Sequence, residues 1–181
     1  MNGLLGLIRG WAGKPLHPPL TDVSVGAYTA GVAMLVLGAF GVEEEQMAHG
    51  ALLAVGVGLA VAAPTALTGL LDWLALERGT PARTTATVHL IVMSLTTALF
   101  VLTFITHLDG YDDRQIEALP LVLGLIGFGV LGAGGYIGGT LVFVYGVRVL
   151  KREQVPMRDA LIPGRAEPPE QSEPRSLFRR R

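Results

Sequence analysis

The sequence predicts an all-α integral membrane protein: a four-helix bundle with both termini cytoplasmic, preceded by a short interfacial amphipathic helix. Three observations carry that reading. Half of the 181 residues are apolar and only 16 % are charged, a balance that fits one domain with a large buried or lipid-facing surface. The apolar residues gather into four stretches, each long enough to cross a hydrocarbon core that takes roughly 20 helical residues. The charges separate by loop, so a net charge of −1 hides an ordered distribution.

Residues 3–12, GLLGLIRGWA, are too short to span. Arg9, Trp11 and Lys14 suit a helix lying in the interface with the indole at headgroup level, and the segment has neither the basic leader nor the cleavage site of a signal peptide. Residues 1–14 are therefore expected as the interfacial helix and 15–150 as the four-span domain. The spans are expected at about 21–40, 47–76, 82–107 and 118–150, the last long enough to tilt or to leave the bilayer. In the stretch GKPLHPPLTDVSVGAY, residues 13–28, the prolines are expected to stop one helix and Thr21 or Asp22 to start the next.

Glu43, Glu44 and Glu45 lie between the first two spans, and Asp109, Asp112, Asp113 and Glu117 between the last two. Arg9, Lys14, Arg78, Arg83, Arg148, Lys151 and Arg152 fall on the opposite side, which the positive-inside rule makes cytoplasmic. From Lys151 the chain is polar and proline-bearing without apolar periodicity, so 151–181 is expected as a disordered cytoplasmic tail. Its Arg179-Arg180-Arg181 end is read as a solvated run rather than a lipid or nucleic-acid site. In the fourth span Gly134 with Gly138 and Gly135 with Gly139 stand at four-residue spacing, a pattern that lets helices approach closely, within the bundle or in a homo-oligomer.

Ionisable groups within spans are costly and so are candidates for function. His17 and Asp22 flank the start of the first span, Asp72 lies near the end of the second, and His89 sits two turns into the third. The topology brings all four to one membrane face. Each has a plainer reading: Asp22 as complement to a helix N-terminus, Asp72 as an ion-pair partner of Arg78 or Arg83, His89 as an imidazole bonded to a carbonyl or to Asp72. His107 follows His89 by 18 residues, about five helical turns, which places a histidine near each end of the third span. His49 and His107 are read as solvated interfacial residues.

There is no cysteine, so disulfides, thiolate metal sites and cysteine-ligated iron–sulfur clusters are excluded within these residues. No P-loop, dinucleotide fingerprint, HExxH pair or nucleophile elbow occurs, which leaves a stand-alone enzyme without a motif.

Four ordered motifs carry a family resemblance: Leu16-His17-Pro18 with Pro19-Leu20-Thr21-Asp22; Gly69-Leu70-Leu71-Asp72-Trp73; Arg83 with His89; and Gly138-Gly139-Thr140-Leu141-Val142 with Tyr145-Gly146-Val147. Together, over about residues 13–150, they resemble the four-span bacterial membrane family known as domain of unknown function 2231. The resemblance implies a multi-pass protein of the bacterial inner membrane. Because some relatives carry a Rieske-type iron–sulfur domain, it also implies an association with membrane electron transfer, where a Rieske-type protein or redox complex would be the partner. Thr140 stands where many relatives have histidine, and the second histidine that some carry in the first span is missing.

Three functions remain open at this stage. One is a redox subunit with a b-type haem near the cytoplasmic face, His17 and His89 as axial ligands and Asp72 or Arg83 orienting them or pairing with the propionates. Another is a non-catalytic accessory or scaffold that packs through its glycine-rich fourth span. The last is a metal-ion or proton carrier using His17, His89, Asp22 and Asp72.

Overall fold

The computed structural model describes residues 14–149 together with Gly10–Trp11, Met157 and Leu161. It is all-helical apart from a two-residue antiparallel pairing of β1 (Gly10–Trp11) with β2 (Lys14–Pro15). The helices are α1 (His17–Ala39), α2 (Glu44–Ala75), α3 (Pro81–Thr106), the one-and-a-half-turn α4 (Leu108–Asp113) and α5 (Ala118–Phe143). The four long ones, of 23, 32, 26 and 26 residues, are all apolar enough to cross a membrane. The chain is a multi-pass membrane protein. Of the expected interfacial helix, only 10–11 and 14 are described and they are extended; the rest, like most of the 151–181 tail, lies outside the described residues.

Local chemistry sets the boundaries, and it moves two of them. α1 begins at His17 rather than Thr21, because Pro18 and Pro19 occupy its first turn. Proline lacks an N–H that would be unpaired there anyway, and its fixed φ suits the helix. The prolines thus start the helix, and Asp22 lies beyond the first turn and is exposed. α5 ends at Phe143 rather than 150. Gly146 takes φ +63° and the Val147 amide returns to the Leu141 carbonyl at 2.9 Å, a left-handed stop that satisfies a terminal carbonyl. At the start of α3, Thr80 caps the helix by accepting from the Arg83 amide at 3.2 Å, with Pro81 behind it.

Short connections make successive helices antiparallel. Gly31 approaches Val55, and Gly127 approaches Leu99 and Phe100. α1 packs mainly on α2 and α3 mainly on α5, so the bundle is two helix pairs meeting along a seam. At mid-height Tyr28, Val32, Val55, Phe100 and Leu131 close that seam as an apolar core. The outward faces keep residues such as Leu53, Ile91, Leu102, Ile105 and Ile126 exposed, which is a lipid-facing surface in a protein whose backbone polar groups are paired inside helices.

The acidic end is closed by side chains reading backbone. His107 is 1 % exposed, and its Nε2–H donates to the Ala48 carbonyl at 3.0 Å. The His49 Nε2–H donates to the Tyr111 carbonyl at 3.0 Å, its ring tilted against that of Tyr111. Glu44 accepts from the Ile116 amide at 3.1 Å, and Arg114 pairs with Glu45 at 2.9 Å. The expectation of two solvated histidines is therefore corrected: both tie the α4 segment to α2, His49 by donating to a carbonyl in the last turn of α4, where the helix leaves carbonyls unpaired, and His107 by donating to a carbonyl in the early part of α2.

Burial holds the His107 imidazole, just beyond the span, below its ordinary range, partly offset by the Ala48 hydrogen bond and by Glu117. An unfolded chain protonates this residue near pH 6.5 and the folded one only lower. Its stabilisation is then complete above about pH 6.5 and declines as the pH falls towards the folded value. Melting of the detergent-solubilised protein should move to lower temperature between pH 7 and pH 5, with a shallower slope in His107→Gln.

Candidate functional site

At the basic end the two helix pairs diverge around a cavity of about 190 Å³. An engineered apolar cavity of ~150 Å³ takes up benzene, so the space suits a ring-sized molecule. Its wall is mostly apolar, with Ala62, Ala86, Met93 and Leu131 among its lining. His17, Asp72, His89 and Tyr28 line it as well, and Pro15, Trp73, Val147 and Arg148 complete its boundary.

The two histidines are installed in the same way. The His17 Nδ1 lies 2.9 Å from the Thr65 carbonyl, and the His89 Nδ1 lies 3.0 Å from the Gly134 carbonyl. A carbonyl only accepts, so each Nδ1 carries a proton, and in the neutral ring the lone pair is then at Nε2. In both cases the residue four positions beyond that carbonyl is glycine, Gly69 and Gly138. A Cβ there would lie 2.7 Å from the His17 Cε1 and 2.9 Å from the His89 Cε1. A helical carbonyl points along the axis towards residue i+4, so the missing side chain is what lets an imidazole reach the second lone pair. His17 thereby joins α1 to α2, and His89 joins α3 to α5.

The remaining expected site residues separate. Asp72 pairs with Arg148, Oδ1 to Nε at 3.3 Å, rather than with Arg78 or Arg83. This ties the segment after α5 to the end of α2. Arg83 instead donates to the Trp73 and Leu76 carbonyls at the C-terminus of α2, and its guanidinium lies 3.7 Å above the Trp73 ring centroid. The Trp73 indole N–H donates to the Thr87 hydroxyl at 2.9 Å. Arg83 is a cap and cation–π clamp between α2 and α3, away from the cavity lining. Asp22 is exposed and does not line the cavity. Among the described residues no group of three or more His, Asp or Glu side chains is placed to hold a metal ion.

The glycines of the fourth span divide as well. Gly134 and Gly138 face α3, where they seat Met93 and His89, whereas Gly135 has nothing near it and Gly139 meets only Phe143 of its own helix. One residue escaped sequence reasoning. Tyr28, 2 % exposed, lies at the inner end of the cavity with its ring against Gly58 and stacked on Phe100 at 3.9 Å. It follows His17 by 11 residues, about three turns. That shared face was the available signal.

The haem expectation meets a volume limit. His17 and His89 are imidazoles with a free ring nitrogen, the chemistry an axial ligand needs. A porphyrin joins four pyrrole rings in one plane, however, and is several times the size of benzene. The cavity, about 190 Å³, is smaller than such a ring system.

The sequence profile of the family described as predicted membrane protein, DUF2231, matches residues 13–151, well over half of the chain, and the chain belongs to that family. No curated protein and no solved structure matches it.

The glycine seats give contrasting substitutions. Gly69→Ala and Gly138→Ala should each destabilise the bundle by about 1–2 kcal/mol, because overpacking outweighs the helix-propensity gain of alanine. Gly135→Ala, with open space around it, should be neutral or stabilising by up to ~1 kcal/mol. Thermal unfolding of the three variants in one detergent would check both signs.

Proposed function

We propose, from the premise of membership in this family of predicted membrane proteins, that the chain is a non-enzymatic membrane subunit that takes a small, largely apolar ligand from the lipid phase into the cavity between its helix pairs. The observation that carries this reading is the matched pair of imidazoles. With Nδ1–H committed to the Thr65 and Gly134 carbonyls, the neutral form of each ring carries its lone pair on Nε2, beside a mostly apolar space that both residues line. Pockets with apolar walls and a few fixed polar groups are what small-molecule sites are made of. The excess of Lys14, Arg78, Arg83 and Arg148 at this end supports a cytoplasmic placement of the cavity and an N-in, C-in orientation.

The volume argues for a ring-sized ligand over a b-type haem. The carrier reading has weaker support, since below the cavity the stacked Tyr28 and Phe100 with Val32, Val55 and Leu131 form an apolar plug. The scaffold reading is compatible with the first: Gly129, Gly132 and Gly135 are open on the outer side of α5 and suit close approach of a further helix or a second copy.

Durene, a tetramethylbenzene, should raise the melting temperature of the purified protein. At a hundred times its dissociation constant the stabilisation is about 2.7 kcal/mol. Ala86→Phe, placed on the cavity wall where Ala86 is 6 % exposed, should fill the space and abolish that shift. Absence of a shift in the parent protein, or an undiminished shift in Ala86→Phe, would sink the reading. The protein purified from a haem-replete host should show no Soret band; a band with a reduced α-band that vanishes in His89→Ala would reinstate haem.

A further inference from the structure

Tyr28 is held rigidly. Its ring lies parallel to Phe100, 3.9 Å between centroids and 2° between planes, and it fills a notch at Gly58 where a Cβ would come within 2.6 Å. Yet the phenolic Oη is buried with no hydrogen-bond partner among the described residues. An unpaired buried donor costs stability, and phenylalanine would occupy the same place without that cost. The hydroxyl therefore stands out as a feature that packing alone does not require, on a residue that lines the cavity.

We propose that Tyr28 is the ligand-recognition donor of this cavity and that the ligand carries an uncharged carbonyl-type oxygen at its inward end, as a lipid-phase quinone does. The proposal rests on the cavity being a ligand site. The inward position decides the class. Tyr28 lies about three turns, ~16 Å along the axis, inside His17, next to the apolar core. An acyl lipid enters methyl-first and offers the phenol no acceptor. A charged headgroup taken to that depth loses its hydration without a counter-charge. A neutral ring with a carbonyl oxygen enters an apolar space of this size and accepts the Tyr28 proton in a hydrogen bond. The two Nε2 atoms then lie nearer the mouth, where they accept from a hydroxyl or face the remainder of the ligand.

The test compares duroquinone, tetramethyl-p-benzoquinone, with durene, which has the same methylated ring and no oxygen. Binding is measured to the full chain in nanodiscs, parent against Tyr28→Phe. The expected result is a loss of about five- to tenfold in duroquinone affinity in Tyr28→Phe, with durene affinity unchanged. The ligand-free variant should melt at the same temperature as the parent or higher, since the unpaired hydroxyl is gone. If both compounds bind and duroquinone affinity is indifferent to Tyr28→Phe, the Tyr28 assignment falls and the cavity reading stands. If neither compound binds the parent, both fall. A lower melting temperature of ligand-free Tyr28→Phe would assign the phenol to an internal water instead and would also overturn the proposal.

Discussion

An imidazole bonded to a helical carbonyl that glycine leaves uncovered is the interaction on which the rest of this bundle depends. Inside a membrane, helix association gains little from the hydrophobic effect, so close packing and interhelical hydrogen bonds decide which helices pair. His17 on the Thr65 carbonyl over Gly69 locks α1 to α2, and His89 on the Gly134 carbonyl over Gly138 locks α3 to α5. Because both locks act within a pair, the seam between pairs is left to the apolar core at mid-height, and above that core it opens into the cavity. Anchoring the histidines and opening the cavity are one arrangement.

The two ends of the bundle differ for the same reason. At the acidic end, His107, His49, Glu44 and Arg114 engage carbonyls, an amide and a carboxylate across elements, so polar capacity goes into closing the structure. At the basic end comparable groups are drawn outward. Arg83 covers the C-terminal carbonyls of α2, and Asp72 holds Arg148 of the segment that follows α5. These contacts hold the rim, while His17, His89 and Tyr28 line the cavity with several helix-bonded hydroxyls such as Ser24 and Thr97.

The fold was legible because hydrocarbon thickness imposes a length and apolarity that few soluble helices meet. The boundaries were less so. Pro18 and Pro19 serve equally as the end of one helix or the first turn of another, and only the course of the preceding residues separates the two readings. Gly146 stands after α5 in a stretch, VYGVRVL, that is apolar apart from Arg148, so hydropathy alone gave little sign of a stop at Phe143. The convergence of His17, Asp72 and His89 on one face was readable from topology. The pairing of Asp72 with Arg148 joins residues far apart in sequence and follows from where the chain turns after α5. Nor does a sequence state that Gly69 and Gly138 each lie four residues beyond the carbonyl a histidine will choose, since that choice is made by helix packing.

The tautomer that packing imposes also limits what the site can do. A neutral imidazole whose Nδ1–H is given to a carbonyl offers Nε2 as an acceptor or a ligand, and it does not donate from that atom. Two such groups from opposite helix pairs make the mouthward part of the cavity a place of acceptors, whereas the inner end carries the Tyr28 donor. In the proposed reading, an apolar molecule with an acceptor at one end and a hydroxyl at the other would be oriented by that difference. Moving either glycine seat would release an imidazole from its carbonyl and free its proton to shift to Nε2, erasing the acceptor. The close approach of backbone and ring at Gly69 and Gly138 is therefore a condition of these hydrogen bonds as well as of packing.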